Sequence, residues 1–240
     1  GSFFMLGAYI SYTIIGQSVG SVWLFLFAAL IAAAVVAALG LVTELAIFRR
    51  LRSYDEHYVL IATFALLMFV DGIIKLIWGL NYHTVSPPPA LGGVIFIGPV
   101  ILPVFSLFII GFGVLVFVLL ELAVHRLWIG KIVRVLAHDQ WMAGYVGINV
   151  PLTLTCTVVV AFFLAGLAGG LLVPNQTLAP SLSHSFLLQA FVVVIIGGLG
   201  NIRGAFLAAI LLSLAESLNA VLLPEWPGVA MYVALVFFIR

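Results

Sequence analysis

The sequence has 240 residues, of which 65% are hydrophobic and 7% charged, with mean hydropathy +1.35 and a formal net charge of +1. Soluble domains are about a quarter charged, so the composition excludes a soluble globule, and the nine dispersed Lys and Arg leave no basic footprint for nucleic acid. The single cysteine, Cys156, lies in an apolar run, which excludes a disulfide framework and a thiolate metal site.

What remains is an all-α polytopic membrane protein, read as one transmembrane domain over residues 1–240. A spanning helix needs about 20 apolar residues, and the apolar stretches are 3–16, 22–48, 58–80, 104–123, 151–173, 185–200, 205–223 and 228–239. The first and last are short for a span, 185–200 is short and closes in Gly-Gly-Leu-Gly, and 22–48 is long enough to tilt or project.

Charge sets the orientation. Arg49, Arg50 and Arg52 follow the second stretch, Arg126, Lys131 and Arg134 the fourth, Arg203 the sixth, and Arg240 ends the chain. With strict alternation all of these fall on one side, and loops 17–21, 81–103, 174–184 and 224–227 on the other carry no Lys or Arg. The basic side is therefore cytoplasmic. In the outer loop 81–103 the prolines forbid a helix, and Val94 to Ile97, between Gly93 and Gly98, suits a small strand or hairpin in a plain connector or in a receiver for a soluble binding protein.

Three charges fall inside apolar stretches. Asp71 and Lys75 are four residues apart on one helical face, where each alone costs roughly 2.5–3.5 kcal/mol on insertion scales; they mark a substrate path or neutralise each other as a structural pair. Glu216 has no basic neighbour within a helical turn and needs a partner from another span, a proton or a wet cavity. Glu44 and Glu121 lie near the cytoplasmic ends, within reach of Arg49 and Arg126.

Glycine interrupts the apolar pattern at Gly197-Gly-Leu-Gly-Asn-Ile-Arg-Gly-Ala205, with an echo at Gly1-Ser2 and Gly7-Ala8. Such interruptions free the backbone from helical geometry and, in paired halves, mark the binding region of transporters built on repeats. Gly7, Gly197, Gly198, Gly200 and Gly204 are thus candidates for a translocation path together with Asp71, Lys75 and Glu216. Close helix packing through Gly200-x-x-x-Gly204 or Gly166-x-x-x-Gly170 is the alternative.

The longest polar-bearing interval is 124–150. From Lys131 to Val146 apolar and polar residues recur at helical spacing, predicting an amphipathic helix outside the bilayer core that ends at the Gly147 to Pro151 breaker. Chemistry of its own is missing from the chain: there is no P-loop, no His-Glu-x-x-His and no Gly-x-Ser-x-Gly, so the sequence predicts no enzyme.

The interval Arg134-Val-Leu-Ala-His-Asp-Gln-Trp-Met-Ala-Gly-Tyr-Val-Gly-Ile-Asn149 resembles the cytoplasmic loop of permease subunits in branched-chain amino acid-type (LivH-like) ABC importers, although Trp141-Met142 stands where a Glu-Ala precedes the Ala-x-x-x-Gly core of general importer loops. Gly1-Ser-Phe-Phe-Met-Leu-Gly-Ala-Tyr9 is similar to that family's stretch after its first helix, and Gly197 to Ala205 followed by Glu216 to its C-terminal signature. The resemblance implies a further helix before Gly1 and a short tail after Arg240. It also implies a bacterial inner-membrane subunit that pairs with a homologous permease, two cytoplasmic ATPase subunits that bind ATP and Mg, and a periplasmic substrate-binding protein. This chain would hold no cofactor. In that reading Arg134, Ala137, His138, Asp139, Trp141, Met142, Ala143, Gly144 and Gly147 couple to the ATPase. A self-contained secondary transporter or channel, using Asp71, Lys75 and Glu216, is the competing class. With Cys156 removed, a single cysteine at position 138 should resist impermeant thiol reagents in intact cells, whereas one at position 86 should react; labelling of 138 from outside reverses the topology.

Overall fold

The computed structural model describes residues 1–16, 19–52, 54–97, 100–138, 140–145 and 147–222, except the side chains of 56, 97, 100, 138, 140–142 and 222. The eighth apolar stretch, 228–239, lies outside the described residues. The other seven each form a helix: α1 (Ser2–Ile15), α2 (Val22–Thr43), which runs through a π turn (Glu44–Phe48) into α3 (Arg49–Leu51), α4 (Glu56–Trp78), α5 (Val104–His125), α8 (Val150–Leu172), α9 (Leu182–Gly197) and α10 (Ile202–Leu222). Between α5 and α8 stand two shorter helices, α6 (Trp128–His138) and α7 (Gln140–Tyr145). Among the described residues five helices are long and apolar enough to cross a membrane, whereas α1 and α9 are shorter.

Local chemistry sets the ends. Ser21 caps α2 by accepting from the Leu24 amide at 3.2 Å, and Asn149 caps α8 by accepting from Leu152 at 3.2 Å, with Pro151 in the first turn, where its missing N–H costs nothing. In α8 the hydroxyls of Thr153, Thr155 and Thr157 donate to carbonyls one turn back, which satisfies them in an apolar setting.

The core is a three-helix unit of α1, α2 and α8, built on small residues. Phe3 meets Phe162 edge-on at 4.4 Å between ring centroids, Gly7 packs on Gly166, and Ser11 approaches Gly170. These pairs keep a constant offset, so α1 and α8 run parallel. Gly40 with Phe162, Ala33 with Gly166 and Ala29 with Gly170 give the reverse order, so α2 runs antiparallel to α8. A Cβ on Gly166 would come within 2.8 Å of the Val36 side chain and 3.0 Å of the Ala33 backbone. Without a hydrophobic driving force between helices in lipid, association depends on this close approach. The Gly166-x-x-x-Gly170 alternative is therefore the structural fact.

Contacts between other elements agree with alternation. Ser2 faces Leu67 and Thr13 accepts from the Trp78 indole at 2.9 Å, so α4 runs with α1. His83 and Leu178 exchange backbone hydrogen bonds of 3.1 and 2.8 Å, joining two loops assigned to the outside. Glu121 near the end of α5 binds Arg203 at the start of α10, joining two ends assigned to the cytoplasm. The expected hairpin is present: β1 (Val94–Ile97) pairs antiparallel with β2 (Val100–Pro103), Phe96 opposite Ile101.

Gly166→Leu should lower the thermal midpoint of the detergent-purified protein by several degrees, since overpacking costs about 1–3 kcal/mol. Gly111→Leu, where an added Cβ meets nothing within 4 Å, should leave it unchanged; equal losses in both variants would remove the crossing as the cause.

Candidate coupling and translocation sites

The 124–150 interval folds back beneath the spans as two helices rather than the single one predicted. After His125 the chain reverses through Arg126 and Leu127, and α6 packs so closely on the end of α5 that a Cβ on Gly130 would collide with the Ala123 and Val124 backbone. Leu136 on α6 and Ala143 on α7 are fully buried, and both helices contact α8. Arg134, Val135, Ala137, Gly144 and Gly147 are exposed. Asp139 and the side chains of His138, Trp141 and Met142 lie outside the described residues.

The exit from α7 is a Schellman motif. The Ile148 amide donates to the Ala143 carbonyl and the Gly147 amide to the Gly144 carbonyl, both at 3.1 Å, with Gly147 at φ +84°. Asn149 follows at once as the cap of α8. A left-handed residue and a helix cap in three positions fix how α7 feeds the next span.

The charged residues in the spans find other partners than those expected. Asp71 is 4% exposed and its Oδ2 accepts from the Ser183 hydroxyl at 3.1 Å and lies 3.3 Å from His184 Nε2, both in the first turn of α9. A carboxylate there complements the positive end of the helix dipole. Its Oδ1 is buried without a hydrogen-bond partner among the described residues. Lys75 is exposed, so the predicted Asp71 and Lys75 neutralisation is replaced by a contact between α4 and α9. Glu216 is half-buried, with no ion pair among the described residues. Glu44 pairs with Arg52 rather than Arg49, because the extra residue in the π turn brings position 52 round to the face of position 44. Burial pulls the Arg52 guanidinium below its ordinary pKa. Glu121 takes Arg203 and, at 3.2 Å, His125 Nδ1 instead of Arg126.

The glycine run forms a turn between α9 and α10. Gly198 and Gly200 take φ of +85° and +82°, and Asn201 Oδ1 caps α10 by accepting from the Gly204 amide at 3.1 Å. Gly204 then sits against the Gly197 carbonyl and Gly197 against Ala205, where no side chain fits. This turn lies beside the Glu121 and Arg203 pair. Gly7 is in the core, against Gly166. Gly197, Gly198, Gly200 and Gly204 stand at or just beyond the end of α9, whereas Asp71 meets its first turn.

Sequence reasoning missed an outer recess of about 280 Å³ lined by Tyr12, Tyr82, His83, Thr84 and Ser86. Its His83 ring lies 4.7 Å from the Tyr12 ring, with Nε2 unpartnered among the described residues. The only signal was aromatic and histidine residues gathered at the ends of two outer-facing segments. Among the described residues no cluster of His, Cys, Asp and Glu is suited to a metal.

The profile of the branched-chain amino acid transport system permease component family matches residues 1–239. The chain belongs to that family. It is 27% identical over 250 residues to the high-affinity branched-chain amino acid transport system permease protein LivH of Salmonella typhimurium, an alignment covering 98% of this chain and 80% of that protein. Against BraD of Pseudomonas aeruginosa the identity is 28%, covering 92% of this chain and 75% of the relative. Against the probable LivH of Methanocaldococcus jannaschii it is 25%, covering 91% and 69%. No solved structure matches. This permease is accordingly a multi-pass membrane component of a transport system and not an enzyme.

Gly147→Ala places a Cβ in the left-handed region and should destabilise the turn by about 1–2 kcal/mol. Uptake should fall in this variant and stay at the wild-type level in Gly113→Ala, on α5 and away from the α6 and α7 pair, where an added Cβ meets nothing within 4 Å; equal uptake in both would mean that the turn does not govern the permease's action.

Proposed function

We propose that this permease is the transmembrane subunit of an ATP-binding cassette importer for branched-chain amino acids or a related small polar solute, in the plasma membrane. It assembles with a homologous permease, two cytoplasmic ATPase subunits that bind ATP and Mg, and a periplasmic substrate-binding protein. Membrane lipid covers its outward apolar faces.

The observation that carries this reading is the α6 and α7 pair on the basic side of the spans. It buries Leu136 and Ala143 and leaves Arg134, Val135 and Ala137 open. Leu136 and Ala143 are spent on the protein, while Val135 remains 48% exposed and Trp128 and Ile129 at the start of α6 are open as well, which leaves an apolar surface for a partner. A groove on an ATPase would take the open face, with Arg134, Ala137, His138, Asp139, Trp141, Met142, Ala143, Gly144 and Gly147 forming or supporting the contact. Nucleotide-driven closure there would be delivered to α8 through the Gly147 turn.

The secondary-transporter reading needs Asp71, Lys75 and Glu216 on one path. Asp71 instead is occupied by α9 and Lys75 is exposed, which favours the importer. Replacing Asp139 and Trp141 together by Ala should abolish co-purification of the ATPase or substrate-stimulated hydrolysis in the reconstituted complex, with the permease still inserted. An aromatic anchor of this kind is worth about 2 kcal/mol or more. Unchanged assembly and stimulation would remove this segment from the contact.

A further inference from the structure

We propose that the β1 and β2 hairpin lies in the interfacial layer of the outer leaflet, as an apolar anchor fixed to the start of α5. The segment Gly93-Val-Ile-Phe-Ile-Gly-Pro-Val-Ile-Leu-Pro103 contains no charged or hydrogen-bonding side chain. Strand side chains alternate between faces, so Val94, Phe96 and Ile101 occupy one face, and Ile95 and Leu102 the other. The first is open, with Phe96 68% and Ile101 61% exposed, and the second is partly so, with Ile95 43% exposed beside a half-buried Leu102. An antiparallel pair that faces water on one side carries polar residues there, and this one has none on either.

That two-sidedness selects the occupant. A docked protein surface covers one face of a thin two-stranded ribbon and leaves the other in water, whereas immersion in lipid covers both. The hairpin is also continuous with a lipid-facing wall. The Val104 amide at the first turn of α5 donates to the Gly93 carbonyl at 3.0 Å, and α5 exposes Leu107, Ile110, Val114, Val118 and Leu122 along its length.

Depth follows from the backbone. The outward N–H and C=O groups of a two-stranded sheet have no partner within it, and hydrocarbon cannot satisfy them. The hairpin therefore stays at the level of the headgroups and the acyl boundary, where water reaches its edges. Tyr82 in the same outer loop and Trp23 at the start of α2 are both strongly exposed, as residues of an interfacial aromatic belt are.

The test uses the assembled transporter in phospholipid vesicles, with exposed Cys156 replaced by Ser. Spin labels are placed at Ile95→Cys and Phe96→Cys, on opposite faces, with Ile101→Cys standing in for Phe96→Cys if that variant fails to reconstitute. Collision rates with oxygen, which partitions into lipid, and with a water-soluble nickel chelate are then measured. The anchor predicts oxygen accessibility several-fold above that of nickel on both faces, with and without the substrate-binding protein. High nickel accessibility on either face overturns it in favour of a water-exposed hairpin. Low accessibility to both reagents on one face, present throughout or only after the binding protein is added, overturns it in favour of a protein contact.

Discussion

Everything in this fold depends on how closely α1, α2 and α8 approach. Lipid tails are as apolar as the side chains they would replace, so burying leucine between helices yields little in a membrane; dispersion between backbones at close range does the holding. Gly7, Gly40, Gly166, Gly169 and Gly170, with the alanines Ala28, Ala29, Ala32 and Ala33, supply that approach. The larger apolar side chains mostly point outward, in keeping with a surface solvated by hydrocarbon.

Around this unit the remaining helices are held by a few polar contacts of long sequence separation. Asp71 ties α4 to the first turn of α9, Arg203 ties α10 to α5, and the Trp78 indole ties α4 to Thr13 of α1. The Asp71 contact is buried, so breaking it would leave an unsatisfied group in dry surroundings, whereas the Arg203 pair and the Trp78 bond are exposed and contribute less. α5 is the least embedded of the long helices: it meets α10 through Glu121 and the stacked rings of Phe117 and Phe206, 3.9 Å apart.

Much of this was legible in the sequence, because the signals were local. Seven apolar stretches became seven helices, the Gly147 to Pro151 breaker became a Schellman turn and cap, and Val94 to Ile97 became a strand. What was not legible was pairing at a distance. Lys75 is near Asp71 in sequence, yet the carboxylate found Ser183 and His184 more than a hundred residues away. Helical spacing ranks intrahelical partners only and is blind to which span packs alongside. The place of the glycine run was open for a related reason: Gly197 to Gly204 breaks the helical pattern whether the break falls within a span or between two. The positive φ of Gly198 and Gly200, the Asn201 cap and the contact of Gly204 with the Gly197 carbonyl show that it separates α9 from α10.

The short link between α7 and α8 has a mechanical consequence. Gly147 in a left-handed conformation and Asn149 as a cap leave almost no slack between the α6 and α7 pair and the third member of the core. Around Gly166 and Gly170 that member meets its neighbours at backbone distance, with few long side chains there to re-rotamerise and absorb strain. Packed interfaces of this kind shift between discrete arrangements instead of deforming continuously. A push on α7 therefore cannot slide α8 alone; it must tilt α1, α2 and α8 as one stiff wedge and carry the outer ends of all three along with it.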